Sequence, residues 1–129
     1  MPLVEVDYDP DFIAETALTT LSQRLPDIVA EHVSTHGAKL NRKEVEVRFR
    51  KRAPYDQNHP RLGIRIIANH TSDREARLDS IWTAVCRDVA SKTGIDLPLE
   101  KGGRTRPLFA EGCYVWIMLM PAKFGWIGG

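Results

Sequence analysis

The chain begins Met1-Pro2-Leu3-Val4. While Met1 is attached, Pro2 is an amide with a fixed φ and no hydrogen to donate, which costs little at the first position of a strand. A small second residue usually permits removal of the initiator methionine. Pro2 would then be a free secondary amine, which is a base and a nucleophile. An α-amino group has a pKa of about 7.7–8.0, so it can carry a proton near neutrality. The other reactive side chains offer less by their spacing. His32, His36 and His59 have no metal-ligand spacing, and two cysteines, Cys86 and Cys113, are too few for a disulfide framework or a thiolate cage. No metal and no cofactor is expected.

The elements that must hold Pro2 follow from hydrophobic period. Val4, Val6 and Tyr8 alternate with Leu3, Glu5 and Asp7, which predicts a strand over 2–8 with Pro2 on the valine face. Asp9-Pro10-Asp11 should turn the chain and cap a helix. Ile13, Ala17, Leu21, Leu25, Ile28, Val29 and Val33 follow at helical spacing, and Pro26 should kink or break that helix near Leu25. Gly37 suits the position just after its end. Val45, Val47 and Phe49 alternate with Glu46, Arg48 and Arg50, a half-buried strand. After a loop over 51–60, residues 62–68 form a third strand. Ser72-Asp73-Arg74-Glu75 has the form of a capping box, and Leu78, Ile81, Trp82, Val85 and Val89 mark the buried face of a second helix ended by Gly94. Residues 95–112 are irregular, with Arg104 and Arg106 as candidates for a lid or a subunit contact. Residues 114–120 form a last strand, apolar on both faces.

The fold class is therefore α+β: two β-α-β units forming a four-stranded mixed sheet with two helices on one face. The helix-free face, apolar along the last strand, is expected to bury itself against another subunit. The 129 residues make a single domain, 1–129. A net charge of +1 gives no sign of a nucleic-acid or membrane partner. The longest apolar run, 114–121, is too short to span a bilayer. Glu5, Asp7 and Asp9 rule against a leader peptide, and a reducing, cytoplasmic setting is expected.

Met-Pro followed by an aliphatic residue, two β-α-β halves, and the ending Phe124-Gly125-Trp126-Ile127-Gly128-Gly129 together resemble the tautomerase superfamily. That group includes 4-oxalocrotonate tautomerase, 5-carboxymethyl-2-hydroxymuconate isomerase and migration inhibitory factor. The ending is similar to the Phe-Gly-Ile-Gly-Gly of the small tautomerases. The resemblance implies a homotrimer with sites near subunit boundaries, a small-molecule substrate, removal of Met1, and Pro2 as catalytic base. It also suggests substrate-binding residues. Arg42 resembles a substrate arginine of the isomerases. Lys39 lies one position from an active-site lysine of migration inhibitory factor. Tyr114 aligns with a site tyrosine, and His70 falls where the isomerases carry another arginine. Each has an ordinary reading as well, solvated charge for Lys39 and Arg42 and packing for Tyr114. His70 in place of arginine puts a dicarboxylate substrate in doubt, because imidazole is the weaker carboxylate anchor.

The implied reaction is proton movement in a small unsaturated 2-oxo or 2-hydroxy acid. It needs a neutral base beside the reacting carbon and a cation or donor for the enolate. Two alternatives share the fold. One is a hydratase or dehalogenase with a cationic proline and acidic residues to activate water. The other is a non-catalytic trimeric binding or structural protein.

Overall fold

The computed structural model describes residues 2–35, 37, 39–95 and 112–121. Its elements are β1 (Leu3–Tyr8), α1 (Glu15–Val33), a 3-10 turn (Arg42–Glu44), β2 (Glu46–Lys51), β3 (Leu62–Asn69), α2 (Ser72–Ala76), α3 (Leu78–Thr93) and β4 (Cys113–Met120). Met1, His36, Arg104, Arg106 and the ending 124–129 lie outside the described residues. No helix among the described residues is long and apolar enough to cross a membrane.

The strand order is β2-β1-β3-β4. β1 runs parallel to β2, β3 runs parallel to β4, and β1 and β3 are antiparallel. Each β-α-β half thus supplies one parallel pair, and the halves join at the centre of the sheet. Period-2 alternation puts Val4, Val6, Leu62, Ile64, Ile66 and Val115 on the core face, each fully buried. The facing helices contribute Leu21, Leu25, Val29 and Val33 from α1, and Ile81, Trp82, Val85 and Val89 from α3. Trp82, the largest fully buried side chain, also donates from Nε1 to the Val115 carbonyl at 3.0 Å.

Several local expectations shift. Asp9 accepts from the Asp11 amide at 3.0 Å, so its carboxylate closes a turn instead of capping α1, which starts at Glu15 with no side-chain cap. α1 runs through Pro26 as one helix and ends at Val33, so Gly37 lies beyond its cap residue, Ser34. Ser22, four residues before Pro26, sits on the exposed face, where water can take the carbonyl that the proline leaves unpaired. The cap of α2 is Thr71, whose hydroxyl accepts from the Arg74 amide, and not Ser72. Gly94 closes α3 as expected, in the left-handed region at φ 74°.

The helix-free face is more charged than its apolar last strand suggests. Asp7, 6% exposed, accepts from Arg50 at 3.0 and 3.4 Å and from Arg65 at 3.3 Å. Glu5 pairs with Arg65 and Glu46 with Arg48. On the β4 side the Tyr114 ring lies over Gly63, with ring atoms 2.6 Å from where a Cβ would stand. Any larger residue at 63 would have to displace a buried aromatic.

Cys86 is buried in α3, and burial pushes its thiol up to about 12. A thiol, not a thiolate, is inert to alkylation. Iodoacetamide at pH 8 is therefore expected to leave Cys86 unmodified in the folded protein and to label it in urea. Equal labelling in both states would contradict this burial. Because the folded-state value is raised, the contribution is intact below the ordinary thiol value and fades as pH climbs toward 12.

Candidate functional site

Pro2 is buried one residue ahead of β1, and its carbonyl accepts from the Glu46 amide at 3.1 Å. Leu3 pairs with Glu46 on one side and Ile67 on the other. Pro2 therefore sits at the end of the sheet where β2 begins and β3 and β4 finish. α1 delivers its C-terminus to the same end, because its chain must return there to enter β2.

A buried guanidinium organises this end. Arg74, 7% exposed, donates from Nε to the Val33 carbonyl at 3.0 Å and from Nη1 to the Asn69 carbonyl at 2.8 Å. The first is one of the carbonyls that a helix leaves without an internal partner at its C-terminus. Arg74 thus joins the end of α1 to the end of β3. Burial lowers its pKa, with Arg77 adding to the effect and Asp73 opposing it. Arg77 continues the clamp, donating to the Ser34 carbonyl at 2.7 Å and to Asp73. By its place in the sequence Arg74 is only a member of the cap motif. The hint was its position: a cation in the first turn of a helix opposes the dipole, so something else must hold it. Arg74→Met should cost about 2–4 kcal/mol, because one buried and one half-buried carbonyl lose their charged donor. Urea denaturation checks this, and a loss below roughly 0.5 kcal/mol, the range of an ordinary surface change, would contradict it.

The suggested substrate residues divide by position. Lys39 lies in the connection from α1 to β2, exposed and with no ion-pair partner among the described residues. Arg42, in the same connection, donates from Nε to Asp27 at 2.8 Å and from Nη2 to the Gln23 carbonyl at 3.2 Å. Gln23 is three residues before Pro26, so Arg42 serves a carbonyl near the proline of α1. His70 follows β3 at the Pro2 end, with Nε2 2.8 Å from the Glu75 carboxylate. Tyr114 does not share this end. It faces Gly63, which faces Asp7, five residues along β1 from Pro2 and about 17 Å away at strand rise. Burial raises the Tyr114 pKa, with smaller effects from Arg65, Asp7, Arg50 and Glu5.

Glu5 and Asp7 lie on the opposite sheet face from Pro2, held by arginines. A depression of ≈ 460 Å³ lies at the far end, lined by Asp7, Arg50, Lys51, Asp56, Asn58 and His59 among others. Topology thus brings the segments that carry Lys39, Arg42, His70 and Arg74 to the Pro2 end of the sheet, with the Arg42 side chain turned toward Asp27 and Gln23 of α1, while Tyr114 belongs to the other end.

No protein-family model matches the chain, and no curated protein matches it in sequence. Solved structures do match. A native fused 4-OT superimposes with a TM-score of 0.60 at 15% identity, over 98% of this chain and 93% of that one. A fused 4-OT described as a symmetric trimer matches with a TM-score of 0.55 at 18% identity, over 92% and 85%. A macrophage migration inhibitory factor-like protein from Entamoeba histolytica matches with a TM-score of 0.55 at 12% identity, over 93% and 89%. With its two β-α-β halves, its β2-β1-β3-β4 sheet and these near full-length matches, the chain has the fold of the tautomerase superfamily.

Proposed function

We propose that this protein is a cofactor-independent tautomerase or isomerase. It moves a proton within a small unsaturated 2-oxo or 2-hydroxy acid, with the nitrogen of Pro2 as general acid–base. The observation that carries the reading is the buried proline at the strand start of this fold, its carbonyl held by the Glu46 amide, at the same sheet end as the clamp of Arg74. Removal of Met1 makes its nitrogen a free amine. Low polarity and nearby cations both disfavour the protonated form of such an amine. The neutral nitrogen takes the proton from the carbon beside the carbonyl and returns it to another atom of the conjugated system.

Lys39, exposed and without an ion-pair partner among the described residues, can meet the substrate carboxylate. Arg42 can join it, because its pair with Asp27 is half exposed on both sides, and exposed pairs of this kind hold weakly, at about 0–1 kcal/mol. His70 would have to turn from Glu75. Tyr114 can reach a Pro2 pocket only from a second copy, which favours a homotrimer with the site at a subunit boundary. The cationic-proline hydratase reading is disfavoured because its acidic candidates, Glu5 and Asp7, are held by arginines on the other sheet face.

The test combines intact mass with ketonisation of phenylenolpyruvate, followed as loss of enol absorbance. The reading expects a chain lacking Met1, turnover well above the buffer rate, and a trimer by light scattering. A fully processed, well-folded protein without turnover would favour the non-catalytic binding role.

A further inference from the structure

Two carboxylates converge on one imidazole where α1 and α3 pack together. His32 Nε2 lies 2.6 Å from Asp88 Oδ2 and 3.9 Å from Glu31 Oε2. The three donor atoms all lie within 4.8 Å of one another. Among the described residues, neither carboxylate pairs with a lysine or arginine; their ion pairs end on His32. We propose that Glu31, His32 and Asp88 form a binding site for a divalent transition ion of the zinc class, stapling α1 to α3.

The donor set argues for that class. One imidazole nitrogen with two carboxylate oxygens suits zinc, cobalt or nickel, whereas calcium and magnesium take oxygen donors. Three protein donors leave a fourth tetrahedral position for water. Zinc bonds of about 2.0–2.2 Å put tetrahedral donors roughly 3.3 Å apart. His32 and Asp88 must therefore open by about 0.7 Å, and His32 and Glu31 must close by about 0.6 Å. The Glu31 and Asp88 oxygens, within 4.8 Å of each other, must close by up to about 1.5 Å, and side-chain rotation supplies all three movements. Glu31 is 72% exposed and Asp88 39%, while His32, at 22%, is held against the helix pair. The ion replaces the proton shared by His32 and Asp88 and balances both carboxylates. Sequence spacing could not reveal this set, because His32 and Asp88 stand 56 residues apart and meet only through the β-α-β topology.

The test uses the full chain, stripped with a chelator and titrated with zinc chloride by calorimetry, with cobalt(II) absorption in parallel. The expected result is one zinc per chain, a raised melting temperature with zinc, and cobalt bands typical of nitrogen and oxygen donors. His32→Ala and Asp88→Asn should each weaken zinc by more than about tenfold, since even the outer partners of a metal ligand act on that scale. Glu31→Gln should weaken it less. If His32→Ala folds poorly, Asp88→Asn, which keeps the shape of the pair, decides alone. No heat and no melting shift up to about 1 mM zinc would overturn the proposal. So would undiminished binding in Asp88→Asn, which would put the ion elsewhere.

Discussion

Pro2→Ala is expected to lower kcat/KM for phenylenolpyruvate ketonisation by about 10²-fold, the low end of what a positioned acid–base group contributes. The low end applies because alanine at position 2 still permits removal of Met1 and leaves a primary amine. What is lost is the ring that fixes the lone pair in one orientation. The fold should tolerate the change. Pro2 precedes β1 and contributes a carbonyl to the sheet, which alanine keeps. The loss should therefore appear in turnover while the urea midpoint stays near wild type. Equal rates for the two proteins would remove Pro2 from the mechanism.

The largest effect on stability should come from Trp82→Ala. Trp82 is 1% exposed between α3 and β4, and its indole N–H holds the Val115 carbonyl. Truncating a buried tryptophan costs about 3–5 kcal/mol, a large share of the roughly 5–15 kcal/mol that holds a domain folded. Trp82→Phe should cost less, because the ring still fills most of the volume while the donor is lost. Comparing the two separates packing from the hydrogen bond. Urea denaturation at fixed protomer concentration reads both, since association contributes to apparent stability in an oligomer. An alanine variant within about 1 kcal/mol of wild type would contradict the position of Trp82 at the centre of the core.

The sheet was legible because its period-2 pattern is local. Val4 and Val6 against Glu5 and Asp7 assign the faces of β1, and the strand–helix–strand order repeated twice implies two parallel pairs. Gly94 marked the end of α3 for the same reason, as a left-handed cap is a property of one residue. Reading failed where a side chain chose among competing partners. Asp9 could cap α1 or close its own turn, and it closes the turn. The capping-box pattern points to Ser72, but Thr71 stands one residue earlier at the helix boundary and caps α2 instead.

The candidate site was legible in its residue types more than in its arrangement. Arg42 and His70 carry suitable chemistry, yet each is held by a carboxylate that no short motif announces. Arg74 escaped notice because its acceptor, the Val33 carbonyl, lies 41 residues away. Resemblance alone groups Tyr114 with Pro2. Strand order and register then separate them within one chain by the length of β1, so that grouping requires a second copy.

The proposed chemistry rests on the nitrogen of Pro2. The direct measurement compares phenylenolpyruvate ketonisation by the processed protein with that of the same chain extended by Met-Glu ahead of Pro2. The extension acylates the nitrogen and leaves every side chain in place. The acylated protein is expected to lose about 10²–10⁴-fold in kcat/KM, the contribution of a positioned acid–base group. Light scattering and the urea midpoint should match in both forms. Equal activity in the acylated protein would contradict the account, because an amide nitrogen cannot carry the proton.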